Sequence, residues 1–342
     1  MRVRDDDWTT YLAIRAAWLS FVGGRTQGEI AEQLGVSPAK VHRLIALAQK
    51  SGFVKFHIEG RPVECLELED SLTRRFGLQS CIVAPELGGG DGEAALRSVG
   101  ACAGQFLSDL LSSRSVRRVG VGMGRTLKAA VEEMGRLARP DLEIVSISGS
   151  LTRKLAANPY DVVQRMQERS GGEGFYLPVP YFTETAAEKQ VFLAQRSVQD
   201  LLGRARQSDV FVIGIGTVED DGHLVQRGMI SKPEQENLRA NAAVSDLMGR
   251  FLTAEGTLAD VLLAECAVGL HFEEIRGSRI VALAGGAGKA QATIAALKTG
   301  VITDLVTDEP LARAIGEQLG PQLLRPADRP GRQEEKSHRG RH

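Results

Sequence analysis

The feature that most constrains this fold is the alternation, from about residue 80 onward, of short apolar segments with longer amphipathic ones. Short apolar runs bounded by turn residues predict buried strands, and apolar residues at three- and four-residue steps predict helices. The expected strands are Ser80–Ala84, Val119–Val121, Glu143–Ile147, Phe175–Val179, Val210–Ile215, Ile280–Ala284 and Leu305–Thr307. The expected helices are Gly92–Ser112, Thr126–Leu137, Pro159–Arg169, Val198–Ala205 and Lys289–Thr299. This alternation indicates an α/β fold with a mainly parallel, doubly wound sheet covered by helices on both faces.

Glycine-rich turns follow several of the predicted strands. These turns are Gly120–Thr126, Ser148–Ser150, Gly214–Thr217 and Ala284–Lys289. Glycine lets backbone N–H groups turn towards an anion, and the start of a helix adds roughly half a positive charge. Arg125 and Lys289 add full charges within two of the turns. Because ligands of open α/β sheets bind at the carboxyl ends of the strands, the turns predict a phosphate-binding site.

The glycine turns do not complete a standard nucleotide motif. After the Gly-x-Gly that ends at Gly122, Arg125 stands where a dinucleotide fingerprint has its third glycine. Lys289 precedes Ala290, where a P-loop has serine or threonine, and Leu283 replaces the first P-loop glycine. NAD and ATP are therefore disfavoured, and no cofactor is expected. A sugar phosphate or phosphorylated polyol matches such turns better.

The first 60 residues predict a helix-turn-helix. Apolar residues at three- and four-residue steps indicate an amphipathic helix from Thr10 to Val22: Tyr11, Ile14, Ala17, Trp18 and Phe21. Thr26 with Glu29 forms a capping box for a second helix, Gln27–Leu34. Ser37 and Pro38 begin a third helix that runs to about Ser51.

The spacing within the second and third predicted helices is typical of a DNA-binding pair. Gly35 suits a turn with positive φ, and Ala31 is small where the helices must cross. The residues expected to face inward are Ile30, Leu34, Val36, Val41 and Leu44. The residues expected to meet DNA are Gln27, Ser37, Pro38, Ala39, Lys40, His42 and Arg43. The alternating segment Phe53–Ile58 predicts a strand that would serve as the wing. A generic helical hairpin with a solvated charged face is the alternative.

The formal net charge of −1 conceals an uneven distribution. Residues 25–58 carry five basic and two acidic side chains, whereas residues 61–320 carry 28 basic and 34 acidic ones. The acidic N-terminus lacks the apolar core of a signal peptide, and no apolar run is long enough to span a membrane, so we expect a cytoplasmic protein. The cysteines show no metal-binding spacing and predict reduced thiols without a disulfide framework or metal site: Cys65, Cys81, Cys102 and Cys266.

Together these motifs resemble the SorC/DeoR-type family of sugar-binding bacterial transcriptional regulators. The segments that carry the resemblance are Thr26–Ala31, Ser37–Leu44, Gly120–Thr126, Asn158–Asp161, Leu177–Pro180, Ala284–Lys289 and Thr307–Glu309. The resemblance implies a body similar to ribose-phosphate isomerases and glucosamine-phosphate deaminases. It also implies a sugar-type effector, usually phosphorylated, and a homodimer or homotetramer.

The resemblance also places an effector pocket on particular residues of this chain. They are Gly122, Gly124, Arg125, Thr126, Ser148, Gly149, Gln195, Gly214, Gly216, Asp246, Gly285, Gly286 and Lys289. Met123 and Ser150 depart from the residues that relatives often have, which bears on how a sugar ring would be held.

Two functions follow from these expectations. The first is a regulator, expected to be a repressor of a carbohydrate or polyol operon, with DNA affinity controlled by its effector. Its expected parts are a helix-turn-helix domain at 1–60, an effector and oligomerisation domain at 61–322, and a disordered tail at 323–342. The second is a sugar-phosphate isomerase or deaminase with an accessory DNA-binding domain. Its candidate acid–base groups are Asp246, Asp308, Glu309, His223 and His271, but they form no compact constellation in the sequence, so an enzyme is not expected.

Overall fold

The computed structural model describes residues 5–55, 58–88, 92–152 and 162–320. The chain folds as two units, Met1–Glu59 and Gly60–His342. The predicted tail, the Asn158–Asp161 segment and the first residues of the predicted helix Pro159–Arg169 lie outside the described residues.

The first unit is a bundle of three helices. They are α1 (Asp5–Ala17), which continues into a π-helical turn at Trp18–Val22, α2 (Gln27–Leu34) and α3 (Pro38–Lys50). The Thr26 hydroxyl accepts a hydrogen bond from Glu29 N and completes the predicted capping box. The Ser37 hydroxyl accepts one from Lys40 N at 3.3 Å. Gly35 between the helices has φ +64°, the left-handed conformation that the turn was expected to need.

The core of this unit confirms the predicted inward face of α2 and α3 but not the stripe of α1. Ile30, Val41 and Leu44 are buried, and Leu34 and Val36 pack against them half-buried. The α1 residues in this core are Leu12, Ala13, Ala16 and Ala17. Of the predicted stripe, Ala17 is buried, whereas Tyr11, Ile14, Trp18 and Phe21 are exposed, because three of the four α1 residues in this core are small alanines that allow close helix packing.

The predicted wing is not seen in the described residues. Phe53–Lys55 and Ile58 adopt no strand, and residues 56 and 57 lie outside the described part of the chain.

The second unit contains a seven-stranded parallel sheet. The strands of the unit are β1 (Ser80–Ala84), β2 (Arg118–Val121), β3 (Glu143–Ser146), β4 (Glu173–Phe175), β5 (Val210–Gly214), β6 (Gly216–Thr217), β7 (Ala243–Leu247), β8 (Arg250–Thr253), β9 (Arg279–Leu283) and β10 (Asp304–Asp308). The large sheet has the order β1-β10-β9-β5-β2-β3-β4. Strands β6, β7 and β8 form a separate antiparallel sheet that the sequence analysis missed.

Helices cover both faces of the parallel sheet. They are α4 (Val63–Phe76), α5 (Gly92–Ser112), α6 (Arg125–Glu133), α7 (Val163–Ser170), α8 (Ala186–Leu193), α9 (Arg196–Arg206), α10 (His223–Gln226), α11 (Lys232–Ala240), α12 (Leu262–Glu265), α13 (Ala290–Lys298) and α14 (Glu309–Leu319). On β5, Phe211 and Ile213 join one apolar cluster, whereas Val210 and Val212 join another. Alternate side chains thus enter opposite cores, which confirms the doubly wound α/β prediction.

The predicted strand Phe175–Val179 is the largest disagreement within the parallel sheet. Only Phe175 belongs to β4, which is an edge strand made of Glu173–Phe175. Pro178 and Pro180 lack the N–H groups that a ladder requires, so the chain leaves the sheet before them.

Candidate functional site

The candidate site lies where the strand order of the parallel sheet reverses. Strand β2 leads through α6 to β3 on one side, whereas its other neighbour is β5, followed in the sheet by β9 and β10. The turns after β2 and β5 diverge here and leave a crevice, the usual ligand site of such sheets. The crevice holds a small cavity of about 70 Å³ that opens to solvent.

The cavity brings together most of the predicted effector residues. Those that line it are Gly122, Gly124, Arg125, Thr126, Ser148, Gly214, Gly216, Asp246 and Lys289. Tyr181, Thr217 and His223 also line it, although the sequence analysis did not assign them to the pocket. Met123, one of the noted departures, is a lining residue as well.

Two basic side chains mark one end of the cavity. Lys289 Nζ donates a hydrogen bond to the Ile215 carbonyl at 3.3 Å, and Arg125 Nη2 donates one to the Asp221 carbonyl at 3.2 Å. Burial, and then the nearby Arg125 charge, lowers the pKa of Lys289 to about 8. Arg125 is also the first residue of α6, so the helix dipole adds positive potential beside its side chain. An anion bound here would offset the mutual repulsion of these groups.

His223 adds a neutral group beside the two basic side chains. Burial, followed by the charges of Arg125, Arg227 and Lys289, lowers its pKa to about 4. Its ring is therefore uncharged at neutral pH and can serve as a donor or acceptor towards a ligand hydroxyl.

A buried carboxyl group marks another part of the cavity. Asp246 lies on β7 opposite Gly216 of β6, and its Oδ1 accepts a hydrogen bond from Gly249 N at 2.9 Å. Burial raises the pKa of Asp246 to about 7. Burial and the Asp246 charge also raise the pKa of the Tyr181 hydroxyl. A carboxyl poised in this way can accept hydrogen bonds from sugar or polyol hydroxyls.

A second cavity adjoins the first and shares Arg125, Thr126 and Lys289 with it. Gly285 and Gly286 line this second cavity rather than the first. The Gly286 amide already donates to the Asp308 carboxylate, at 3.0 Å to Oδ1 and 3.1 Å to Oδ2. The Gly286 amide is therefore bonded to the protein itself, whereas the sequence predicts an amide that turns towards a ligand anion.

Two predicted pocket residues stand apart from the described linings of both cavities. Gln195 is exposed at the start of α9. Gly149 faces the chain at Pro180, where an added Cβ would lie 2.2 Å from the Pro180 carbonyl oxygen. A glycine is needed at that position for close backbone packing.

Most of the candidate acid–base groups of the enzyme alternative have structural roles. Asp308 caps α14 by accepting from Leu311 N at 3.2 Å. Glu309 forms an ion pair with Arg313 at 2.6 Å. His271 lies at the start of the 3-10 turn Phe272–Ile275.

The predicted DNA-contacting residues share one property, which is exposure to solvent. They are Gln27, Ser37, Pro38, Ala39, Lys40, His42 and Arg43. The Arg43 guanidinium donates from Nε to the Ala39 carbonyl at 3.3 Å, so it lies along its own helix. Reaching a base edge would require this side chain to extend away from α3.

Comparison with known proteins agrees with this arrangement. A sequence model of the family described as "Putative sugar-binding domain" matches residues 60–315. The erythritol catabolism regulatory protein EryD of Brucella abortus (strain 2308) is 40% identical over 310 residues, which is 90% of this chain and 98% of that protein. The chain belongs to this family of sugar-binding transcriptional regulators.

Solved structures of regulators share the fold. A DeoR family transcriptional regulator from Listeria monocytogenes superposes with a TM-score of 0.67 at 25% identity, covering 73% of this chain and 99% of that one. The full-length sorbitol operon regulator SorC from Klebsiella pneumoniae gives 0.65 at 22% identity, covering 90% of this chain and 98% of that one. Because the relatives are regulators and not enzymes, the regulator hypothesis holds and the isomerase or deaminase alternative does not.

Three further findings concern metal ions, membranes and the cysteines. Among the described residues, no group of His, Cys, Asp and Glu side chains could hold a metal ion. No helix within the described ranges is long and apolar enough to cross a membrane. The cysteines are free thiols, three of them buried: Cys65, Cys81, Cys102 and Cys266.

Proposed function

We propose that this sugar-binding regulator controls a carbohydrate or polyol catabolic operon from the cytoplasm. The first unit reads double-stranded operator DNA through α3, and the second unit binds a short polyol, a sugar or one of their phosphates. The protein acts as a homodimer or homotetramer. The relative EryD, whose name assigns it to erythritol catabolism, supports a polyol as the effector class.

The observation that supports this proposal is that one cavity contains both basic side chains and groups that can bind hydroxyls. Arg125, Lys289 and the start of α6 suit a phosphate group, whereas Asp246 and Tyr181 suit hydroxyl groups. A phosphorylated polyol carries both chemical groups on one short chain. We therefore place its phosphate beside Arg125 and Lys289 and its hydroxyls beside Asp246.

Control of DNA binding follows from linkage. An effector that binds one DNA-affinity state of the protein better than another shifts the equilibrium towards the favoured state by that difference in binding free energy. DNA binding itself should fall steeply with salt, because Lys40 and nearby basic residues would displace counterions from phosphates.

Thermal unfolding in the presence of candidate compounds tests the proposed effector class. The compounds are erythritol, erythritol 4-phosphate, sorbitol 6-phosphate, fructose 6-phosphate, ATP and NAD. A ligand at 100 times its dissociation constant stabilises its protein by about 2.7 kcal/mol, so a true effector should raise the melting temperature clearly. A shift with a polyol or sugar compound supports the proposal; a shift only with ATP or NAD, or none, contradicts it.

Variants then test which group each residue recognises. Lys289→Met should reduce the preference for the phosphorylated compound, and Asp246→Asn should weaken the phosphorylated and unphosphorylated compounds alike. Lys232→Met is the matched control, because Lys232 is exposed at the start of α11 and outside the described lining of the cavity.

A further inference from the structure

The outward face of α1 and the π-helical turn after it carries large apolar side chains. The exposed fractions are 55% for Trp8, 49% for Tyr11, 36% for Ile14, 64% for Trp18 and 42% for Phe21. The Trp8 and Tyr11 rings stack with centroids 5.2 Å apart. We call these five residues the α1 seam. Contiguous apolar patches of this kind mark interaction surfaces, because leaving them in water is costly.

The spacing of the α1 seam suits pairing with an identical helix. Tyr11, Ile14 and Trp18 follow one another at steps of three and four residues, which is the spacing of paired helices in coiled coils. Two copies of the chain carry the same α1 seam, so a two-fold axis can bring the seam of one copy against the seam of the other. The only basic side chain among positions 7–22 is Arg15, so this face offers little attraction to DNA phosphates.

Charge decides the relative direction of the two helices. Helix α1 begins with Asp5, Asp6 and Asp7, whereas Arg25, which pairs with Glu29 of its own chain at 3.3 Å, follows the π-helical turn at the other end. A parallel pair would bring the two acidic ends together. An antiparallel pair keeps the acidic ends apart, turns each one towards the end of the other copy that carries Arg25, and opposes the two helix dipoles.

We propose that the α1 seam is an antiparallel dimer interface with a second copy of this chain, with its two-fold axis near Ile14. The interface joins two DNA-binding units and so supplies two copies of α3 for a two-fold symmetric operator. This inference rests on the homo-oligomer of the proposed function. It places a dimer interface in the first unit, whereas the sequence predicts oligomerisation through residues 61–322.

Cysteine cross-linking of the full chain tests both the surface and the direction. In an antiparallel pair centred on residue 14, the two Ile14→Cys thiols meet at the axis. The two Trp8→Cys thiols would stand about 18 Å apart along the helices, at about 1.5 Å per residue. Under mild oxidation without DNA, Ile14→Cys should form a disulfide-linked dimer and Trp8→Cys should not.

Controls separate this cross-link from background. Gln33→Cys places an exposed thiol on α2 outside the α1 seam and should stay unlinked. The wild-type chain measures the native thiols; burial is the main cause that raises the pKa of Cys65, Cys81 and Cys102, so these should react slowly. Trp18→Glu should weaken self-association at least tenfold in light scattering, whereas Gln33→Glu should leave it unchanged.

Other outcomes would contradict the helix direction, the interface or the oligomer separately. Equal cross-linking of Trp8→Cys and Ile14→Cys would overturn the antiparallel direction. An oligomer in light scattering without an Ile14→Cys cross-link, or without an effect of Trp18→Glu, would overturn the α1 seam as its interface and leave the proposed homo-oligomer intact. A monomer at all concentrations would overturn both.

Discussion

At the scale of single residues, Asp246 has the most informative environment in the cavity. Its pKa is raised by burial to about 7, from the 3.8 of a free aspartate. Between these values the folded protein holds a proton that the unfolded chain has released. Raising the pH through this window therefore removes stability, by about 1.4 kcal/mol per pH unit at most.

We predict that Asp246→Asn abolishes this part of the pH dependence. The difference in unfolding free energy between wild type and variant should change in favour of the variant as pH rises from about 4 to about 7, and should be constant above about 8. Denaturant unfolding at a series of pH values measures it. The buried groups His223 and His271 are present in both proteins, so their opposite effect cancels; parallel curves for the two proteins would show that Asp246 titrates normally.

The cavity could be predicted from sequence only where local signals exist. Arg125 and Lys289 follow glycine turns at strand ends, so a phosphate site at those positions was a prediction from neighbouring residues. Tyr181 offers no such local signal, because only long-range packing brings the segment after Pro180 to the cavity. The resemblance places Gln195 in the pocket, whereas the structure leaves it exposed and outside the described linings of both cavities.

At the scale of elements, the turn between α2 and α3 depends on Gly35. Its φ of +64° costs a residue with a Cβ about 1–2 kcal/mol. We predict that Gly35→Ala destabilises the first unit by about that amount and that Gly35→Asn costs less, since asparagine tolerates this conformation better. Tryptophan fluorescence during unfolding measures it selectively, because both tryptophans of the chain, Trp8 and Trp18, belong to the first unit. Equal stability of Gly35→Ala and wild type would contradict the prediction.

Two positions on α3 should have different effects on DNA binding. We predict that Arg43→Ala reduces the preference for operator over unrelated DNA by about 1–3 kcal/mol, because an arginine can read a guanine edge. Lys40→Ala should weaken binding to both DNAs equally and lower the salt slope by about 1, as expected for one lost phosphate contact. Anisotropy titrations over a range of salt concentrations distinguish the two. Identical behaviour of the variants would argue against the assigned roles.

The sequence predicted best those elements whose apolar pattern begins and ends clearly at turn residues. Helix α5 and strand β1 have the bounds that were expected. The antiparallel strands β6–β8 were missed because they are short, and β7 mixes Ser245 and Asp246 with apolar residues, so its pattern is weak. The exposed face of α1 was missed for another reason: the pattern of large apolar residues shows that a face exists but not what covers it.

At the scale of the whole molecule, the uneven charge matches the proposed division of labour. The excess of basic residues lies in residues 25–58, which contain α2 and α3, whereas residues 61–320 carry 28 basic and 34 acidic side chains. An acidic body would not compete with the first unit for DNA phosphates. Its cavity gathers Arg125 and Lys289 against that background, which suits an anionic effector.

The most direct test of the proposed effector cavity is the affinity of the full chain for its operator, with and without erythritol 4-phosphate. We predict that saturating compound changes the wild-type dissociation constant by a factor of about 5–150, the usual range of allosteric coupling. Lys289→Met should bind the operator as wild type does, yet show no change at the same compound concentration, whereas Lys232→Met should respond fully. A wild-type response retained by Lys289→Met would contradict the proposed effector cavity.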